Sequence, residues 1–267
     1  MFSFDQNYYY SGTLITKNQI SFVRSLQKKK FREEERCFVA EGPKMVTDLI
    51  GSGIKIRHIF SSSNFQLSLF NHHLEIIRIS PREMARISGL KEPSEVLAVC
   101  EVPEFPMSSI DPLTNPVLVL DNISDPGNLG TIIRVADWFG ISDIVCSRET
   151  VDLYNPKVVQ ATMGSIARVR LHYLDLPGFL ANWKEKVEIF GAFLSGENIY
   201  EAALPGAGIL LIGNESHGIS PEVGEFVSRK LVVPRVPHKN KLSGEAESLN
   251  AAVATAIICS EFRRRTS

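Results

Sequence analysis

Three short runs without a single polar residue, at 117–120, 209–212 and 231–233, pass directly into loops containing glycine, asparagine or proline. A strand that is apolar at every position, not at alternate ones, is buried on both faces, which is the position of a strand in a parallel sheet covered by helices on either side. Around these runs the pattern predicts further strands at 143–146, 168–173 and 187–194, with helices at 131–139, 156–163, 179–186, 221–229 and 248–264. Five or six strands interleaved with helices predict a parallel α/β sheet over residues 116–267.

Upstream, the spacing of Ile15, Ile20, Val23 and Leu26 predicts an amphipathic helix over 15–26. Strands are expected at 37–40, 56–60, 74–79 and 96–102, with helices at 43–50 and 81–87, a smaller α/β layer. Residues 102–116 then hold four prolines in fifteen positions, where neither a helix nor a central strand persists. The expected organisation is a tail at 1–14, a first domain at 15–103, a linker at 104–115 and a second domain at 116–267. A length of 267 residues suits two modest domains, and 44% hydrophobic with 22% charged residues excludes disorder as the main state.

No apolar stretch reaches the roughly 18 residues of a bilayer span, and residues 1–12 lack the apolar core of a leader, so a soluble, unexported protein without membrane contacts is expected. Cys37, Cys100, Cys146 and Cys259 are scattered and form no C-x-x-C pair or zinc-like cluster, which fits a reducing cytoplasm and predicts no metal site. The net charge of −1 argues against nucleic-acid binding through bulk charge alone. Locally, residues 17–36 carry seven basic against three acidic side chains, 7 − 3 = +4. Lys28, Lys29, Lys30 and Arg32 in this run are either candidate phosphate ligands or a solvated helix face.

In an open α/β sheet, ligands bind beyond the carboxyl ends of the strands. The first loop there reads Asp121-Asn-Ile-Ser-Asp-Pro-Gly-Asn-Leu-Gly130, ahead of Arg134. Gly127 and Gly130 are expected to make tight turns, and Asn128 and Arg134 to project near a helix start. The G-x-G-x-x-G spacing of a dinucleotide site is absent. The second loop, Leu211-Ile-Gly-Asn-Glu-Ser-His-Gly218, presents Gly213, Asn214, Glu215 and Gly218 beyond a core strand. Glu215 has helix capping as its alternative role, and His217 reads as a loop residue and not a metal ligand, since no second ligand stands at metal spacing. The third loop starts at Val233 and Pro234 and returns at Ser248-Leu-Asn250, where Ser248 is the expected cap of the last helix and Asn250 lies in its first turn. Ala251, Ala252 and Ala254 suit that helix to close packing, including against a second copy of itself.

Together, the three loops resemble the motifs of the SpoU (TrmH) family of RNA ribose 2′-O-methyltransferases, in the SPOUT superfamily. The resemblance covers about residues 116–265 and rests on residues 125–140, on 211–218, and on Val233-Pro234 with Ser248-Leu-Asn250. The first domain, through its opening helix and Phe38-Val-Ala-Glu-Gly-Pro-Lys44, is similar to the ribosomal-protein-like substrate-binding domain that precedes the catalytic domain in rRNA-modifying members. Two departures stand out: thirteen residues, 235–247, separate Pro234 from Ser248, and Arg235 follows Pro234 where methionine is common. The resemblance implies a deep trefoil knot, S-adenosylmethionine held by Gly213, Asn214, Gly218, Val233, Pro234 and Leu249, and a homodimer formed through the second domain. It implies a catalytic set of Arg134, Asn128, Glu215, Ser248 and Asn250, with no metal required.

The implied reaction moves a sulfonium methyl group to a ribose 2′-hydroxyl of RNA, with rRNA the leading substrate. The family assigns a base-like role to the first-motif arginine. A guanidinium has a pKa above about 12 and offers only donors, so Arg134 is read instead as a fixed cation that stabilises the developing alkoxide and grips a phosphate. The proton would then leave to phosphate or water. The alternatives are ribose methylation of tRNA, methylation of an RNA base, and a non-catalytic RNA-binding or ribosome-assembly protein of the same fold.

Overall fold

The computed structural model describes residues 15–65, 74–236 and 247–264. The expected tail at 1–14 and most of the 235–247 insertion lie outside the described residues. The chain divides into two compact units, with the boundary between Pro103 and Glu104.

In the first unit, α1 (Lys17–Ser25) opens with a capping box: Thr16 Oγ1 accepts from the Gln19 N–H, and Gln19 Oε1 accepts from the Thr16 N–H. There follow α2 (Lys29–Glu35), β1 (Cys37–Glu41), α3 (Pro43–Gly51), β2 (Ile56–Ser61), β3 (Ile76–Arg78), α4 (Pro81–Ile87) and β4 (Val96–Glu101). The sheet order is β1-β4-β2-β3, with only the β2/β3 pair parallel. One face of this sheet is sealed where Val23 and Leu26 meet Cys37, Val39, Leu97 and Val99, with Met84 and Ile87 of α4 beside them. The basic run separates into two kinds of residue. Lys28, Lys29 and Lys30 are exposed, the last two paired with Glu33 and Glu34 one helical turn on. Arg32 is buried and its Nη1 donates to the Leu26 carbonyl at 2.9 Å. It ties α2 to the end of α1, which corrects its expected place among phosphate ligands: a guanidinium spent on a buried carbonyl is not offered to solvent.

The second unit contains β5 (Pro116–Leu120), α5 (Pro126–Trp138), β6 (Asp143–Ser147), α6 (Pro156–Ala161), β7 (Arg170–Leu174), α7 (Leu176–Ala181), β8 (Ile189–Asn198), β9 (Gly208–Ile212), α8 (Pro221–Gly224), β10 (Arg229–Val232) and α9 (Ala251–Arg264). Its sheet order is β10-β8-β9-β5-β6-β7 and every pair is parallel. β5 and β9 are buried along their whole length, as their apolar runs require. The third run falls on β10, an edge strand in which Leu231 is buried and Val232 is only half-buried, because a strand with one neighbour is not covered as a central one is. On one face, Val117, Val119, Ile209 and Leu211 pack with Leu176, Phe179 and Leu180 of α7 and Val223 of α8. On the other, Phe262 of α9 meets Phe190 edge-on at 5.1 Å, and α5 packs between α6 and α9. Among the described residues no helix is long and apolar enough to cross a membrane.

Several boundaries differ from expectation. α5 begins at Pro126 and not at residue 131, because Asp125 Oδ1 accepts from the Asn128 N–H at 2.8 Å and proline takes the first helical position. Gly127 and Gly130 are therefore helical and make no turn. Gly130 is instead a packing residue, since a Cβ there would run into Ala161 of α6. α7 lies upstream of the expected 179–186 because Asp175 Oδ2 accepts from the Gly178 N–H at 2.9 Å and sets its start. α8 stops at Gly224. α9 starts at Ala251, and its cap is Asn250, whose Oδ1 accepts from the Ala252 and Val253 N–H groups at 2.9 and 3.3 Å. Ser248 is thereby corrected as the cap.

The proline-rich segment packs with the second unit. Ile110 sits in the core beside Val117, and Ser109 Oγ donates to Asp143 at 3.3 Å. Asp143 also accepts from Arg170 at 2.8 and 2.6 Å and from His172 at 3.0 Å. Burial alone would raise this carboxyl, but the Arg170 and His172 hydrogen bonds outweigh it and hold the pKa at about 2, below the ordinary 3.8. A depressed carboxyl pKa contributes stability that is full above the unfolded value and is lost as pH falls through the folded one. Asp143→Asn is therefore expected to lower the urea midpoint at pH 7 and to flatten its decline between about pH 4 and 2; an equally steep decline in the variant would assign the acid sensitivity elsewhere.

Candidate active site

The parallel strands bring the loops after β5, β9 and β10 to one end of the sheet. The loop after β9 closes into a ring: the Asn214 N–H donates to the Gly218 carbonyl at 3.0 Å, and the Gly218 N–H returns to the Asn214 carbonyl at 2.9 Å. The ring fixes two glycines for different reasons. A Cβ on Gly213 would overlap the backbone of Gly218 and Ile219, whereas Gly218 has open space around it but a φ of +68°. Asn214 joins the ring to the loop after β5. Its Nδ2 donates to the Asn122 carbonyl at 2.8 Å, and its Oδ1 accepts from the N–H groups of Ser216 and His217 at 2.8 and 3.2 Å. A second stitch runs from the Ser220 N–H to the buried Asp121 carboxylate at 2.7 Å.

All three loops then meet in one hydrogen-bonded chain. Asn250 Nδ2 donates to Asn128 Oδ1 at 2.8 Å, and Asn128 Nδ2 donates to Glu215 Oε1. Asn128 comes from the first turn of α5, Glu215 from the ring and Asn250 from the cap of α9. Because the same Asn250 oxygen caps α9, its amide orientation is fixed at both ends, and that fixes Asn128 and Glu215 in turn. The other carboxylate oxygen of Glu215 has no hydrogen-bond partner among the described residues. The arrangement thus offers a positioned acceptor beside a cavity.

That cavity, about 950 Å³, is lined by Gly213, Asn214, Glu215, Gly218, Val233, Pro234, Ser248 and Leu249 of the expected set. Asn128 and Asn250 stand at its edge through Glu215. Arg134 is not brought to it: the side chain is exposed on α5 and has no hydrogen-bond or ion-pair partner among the described residues. Sequence reasoning missed one wall, formed by Ala192, Phe193, Leu194 and Ser195. β8 pairs with β9 only as far as Gly191, and its pairing with β10 resumes at Glu197, so the residues between leave the ladder and face the cavity. The available signal was Gly196, where a Cβ would strike the Lys230 carbonyl. Among the described residues no cluster of three or more His, Cys, Asp or Glu could hold a metal ion.

Residues 115–260 match the SpoU rRNA Methylase family, and residues 17–98 match the MRM3-like substrate binding domain. The chain is 30% identical over 251 residues to the 23S rRNA (guanosine(2553)-2′-O)-methyltransferase RlmP of Bacillus subtilis, an alignment covering 92% of this chain and 97% of the relative. Among solved structures, a TrmH-family protein from Porphyromonas gingivalis superposes with a TM-score of 0.83 at 38% identity, covering 94% of this chain and 99% of that one. An AdoMet-bound rRNA methyltransferase from Sinorhizobium meliloti superposes with a TM-score of 0.83 at 30% identity, covering 96% and 97%.

Proposed function

The chain belongs to the SpoU rRNA Methylase family, and from that premise we propose that the cavity among its three loops is the cofactor site and that Asn250, Asn128 and Glu215 frame the ribose to be methylated. The protein is a methyltransferase that acts on a ribose 2′-hydroxyl of rRNA with S-adenosylmethionine as donor. The hydrogen-bonded chain from Asn250 through Asn128 to Glu215 carries the placement of the site, because it unites one residue from each loop.

The cavity suits the cofactor. Its volume is in the range of small-molecule sites, Gly218 on its lining has open space where a side chain would stand, and Glu215 sets a negative charge beside the space a sulfonium cation would occupy. Gly213, Asn214, Gly218, Val233, Pro234 and Leu249 would hold the group, which supplies an electrophilic methyl when bound. Asn128, Asn250 and Ser248 position the reacting hydroxyl, and Arg134 stabilises the charge that develops on its oxygen. Arg134 lies outside the cavity of its own chain, on a helix that packs against α9. Trp138 on α5 and Val253 on α9 are also exposed, at 85% and 48%. These observations support a homodimer formed through the second unit, in which Arg134 of one subunit serves its partner's cavity. The trefoil knot belongs to the same reading. The first unit, with Lys28, Lys29 and Lys30 exposed, would contact rRNA phosphates, and the cytoplasm is the proposed compartment, consistent with four free cysteines.

The test is transfer of radiolabelled methyl from S-adenosylmethionine into total RNA of a strain lacking the protein, followed by mapping of alkali-resistant linkages. Label in large rRNA at such a linkage is expected. Label in tRNA or at an alkali-sensitive position would redirect the reading to tRNA or to a base, and no label in RNA or in ribosomal precursors would favour a binding protein.

A further inference from the structure

The loop after β9 carries one titratable ring to which the reading above gives no task. His217 is exposed, lines the cavity, and stands two residues from Glu215. Its Nδ1 lies 3.4 Å from Asn214 Oδ1. The Asn214 amide cannot be reversed: Nδ2 faces the Asn122 carbonyl, while Oδ1 faces the N–H groups of Ser216 and His217. Reversal would set donor against donor and carbonyl against carbonyl. An oxygen opposite Nδ1 selects the tautomer that carries its proton on Nδ1, so the neutral ring keeps a lone pair on Nε2. The fold therefore prepares an acceptor at the cavity in advance of substrate.

Methyl transfer to a hydroxyl requires such an acceptor, and a guanidinium cannot be one. We propose that Nε2 of His217 takes up the proton of the ribose 2′-hydroxyl, an inference that rests on the ribose-methylation reading. As the O2′–CH3 bond forms, the S–CH3 bond breaks with its electron pair staying on sulfur, and the hydroxyl proton passes to Nε2. The lost sulfonium charge is matched by the imidazolium charge gained. Among the described residues, the charged groups lining the same cavity are Glu215 from this loop and Arg235 and Glu247 from the flanks of the third.

The test compares wild type with His217→Gln in single-turnover methyl transfer to rRNA from about pH 5.5 to 8.5, together with cofactor affinity by calorimetry and the ¹⁵N spectrum of histidine-labelled protein. The wild-type rate is expected to fall toward the acid end of that span, where Nε2 already carries a proton and can accept none. The variant should be slower by about 10² to 10⁴-fold, without that acidic limb, and should bind cofactor within about twofold of wild type. The spectrum should show His217 protonated on Nδ1. A variant rate within about threefold of wild type, a retained acidic limb, lost cofactor binding, or a proton on Nε2 would each overturn the proposal. Absence of transfer by the wild type would overturn the ribose-methylation reading and this inference with it, whereas wild-type transfer with an unaltered variant profile would overturn the inference alone.

Discussion

Arg134→Ala is expected to slow methyl transfer about a hundredfold, equivalent to roughly 3 kcal/mol of lost stabilisation of the developing alkoxide, with little change in thermal midpoint. The two readouts separate because of where the residue sits. Arg134 is exposed on α5 and has no hydrogen-bond or ion-pair partner among the described residues, so its removal breaks no such bond within them. Alanine is also the better helix former, and exposed substitutions of this kind shift stability by about 0.5 kcal/mol or less. Arg134→Lys should fall between the two, since an ammonium keeps the charge but not the planar fork that grips a phosphate while facing the hydroxyl. Full activity in Arg134→Ala would remove the arginine from the mechanism.

The same substitution tests the dimer. When Arg134→Ala subunits are mixed with Glu215→Ala subunits, an active site that draws its arginine from the partner regains one complete set in each heterodimer. Activity should then rise in a mixture of two impaired proteins. If the arginine serves its own chain, the heterodimer still contains no subunit with both defects, but each site carries one, and the mixture stays as impaired as its components.

The apolar runs at 117–120 and 209–212 were sufficient to place β5 and β9, because a strand buried on both faces needs nothing beyond its own composition to be recognised. Helix starts were less legible. Asp125-Pro126-Gly127 has the composition of a turn, and only the bond from the Asn128 N–H to Asp125 makes it the opening of α5. Gly130 is present for contact with Ala161, a neighbour thirty-one positions away whose proximity depends on the packing of α5 on α6. Arg32 is indistinguishable from its neighbours in a charge run, and its burial follows from the turn between α1 and α2. The site shows the same division. Each loop was legible alone, but the bonds from Asn250 to Asn128 and from Asn128 to Glu215 span 122 and 87 positions and exist only in the folded sheet. The wall at 192–195 was missed because it arises where β8 leaves its partners, a property of pairing and not of those residues.

Gly213→Ala should give the largest loss of cofactor binding among single-methyl changes. The added Cβ would overlap the carbonyl carbon and oxygen of Gly218 and the Ile219 nitrogen, all backbone atoms that no side-chain rotation can move aside. Relief requires opening the ring held by the paired Asn214 and Gly218 bonds, and the ring carries Glu215, so its opening also draws the carboxylate away from Asn128. Overpacking of this kind costs about 1–3 kcal/mol of stability. Affinity for S-adenosylmethionine should weaken by at least about tenfold, or about 1.4 kcal/mol. Gly218→Ala is the informative contrast. No atom lies within 4 Å of its added Cβ, so only the left-handed backbone at φ +68° is penalised, at about 1–2 kcal/mol, and the ring can stay closed. Urea unfolding should then rank the two variants close together, while calorimetry with S-adenosylmethionine should separate them, Gly213→Ala binding far more weakly. Equal affinities would mean that the cofactor does not rest on this ring, and would move its site toward the wall formed by Phe193, Leu194 and Ser195.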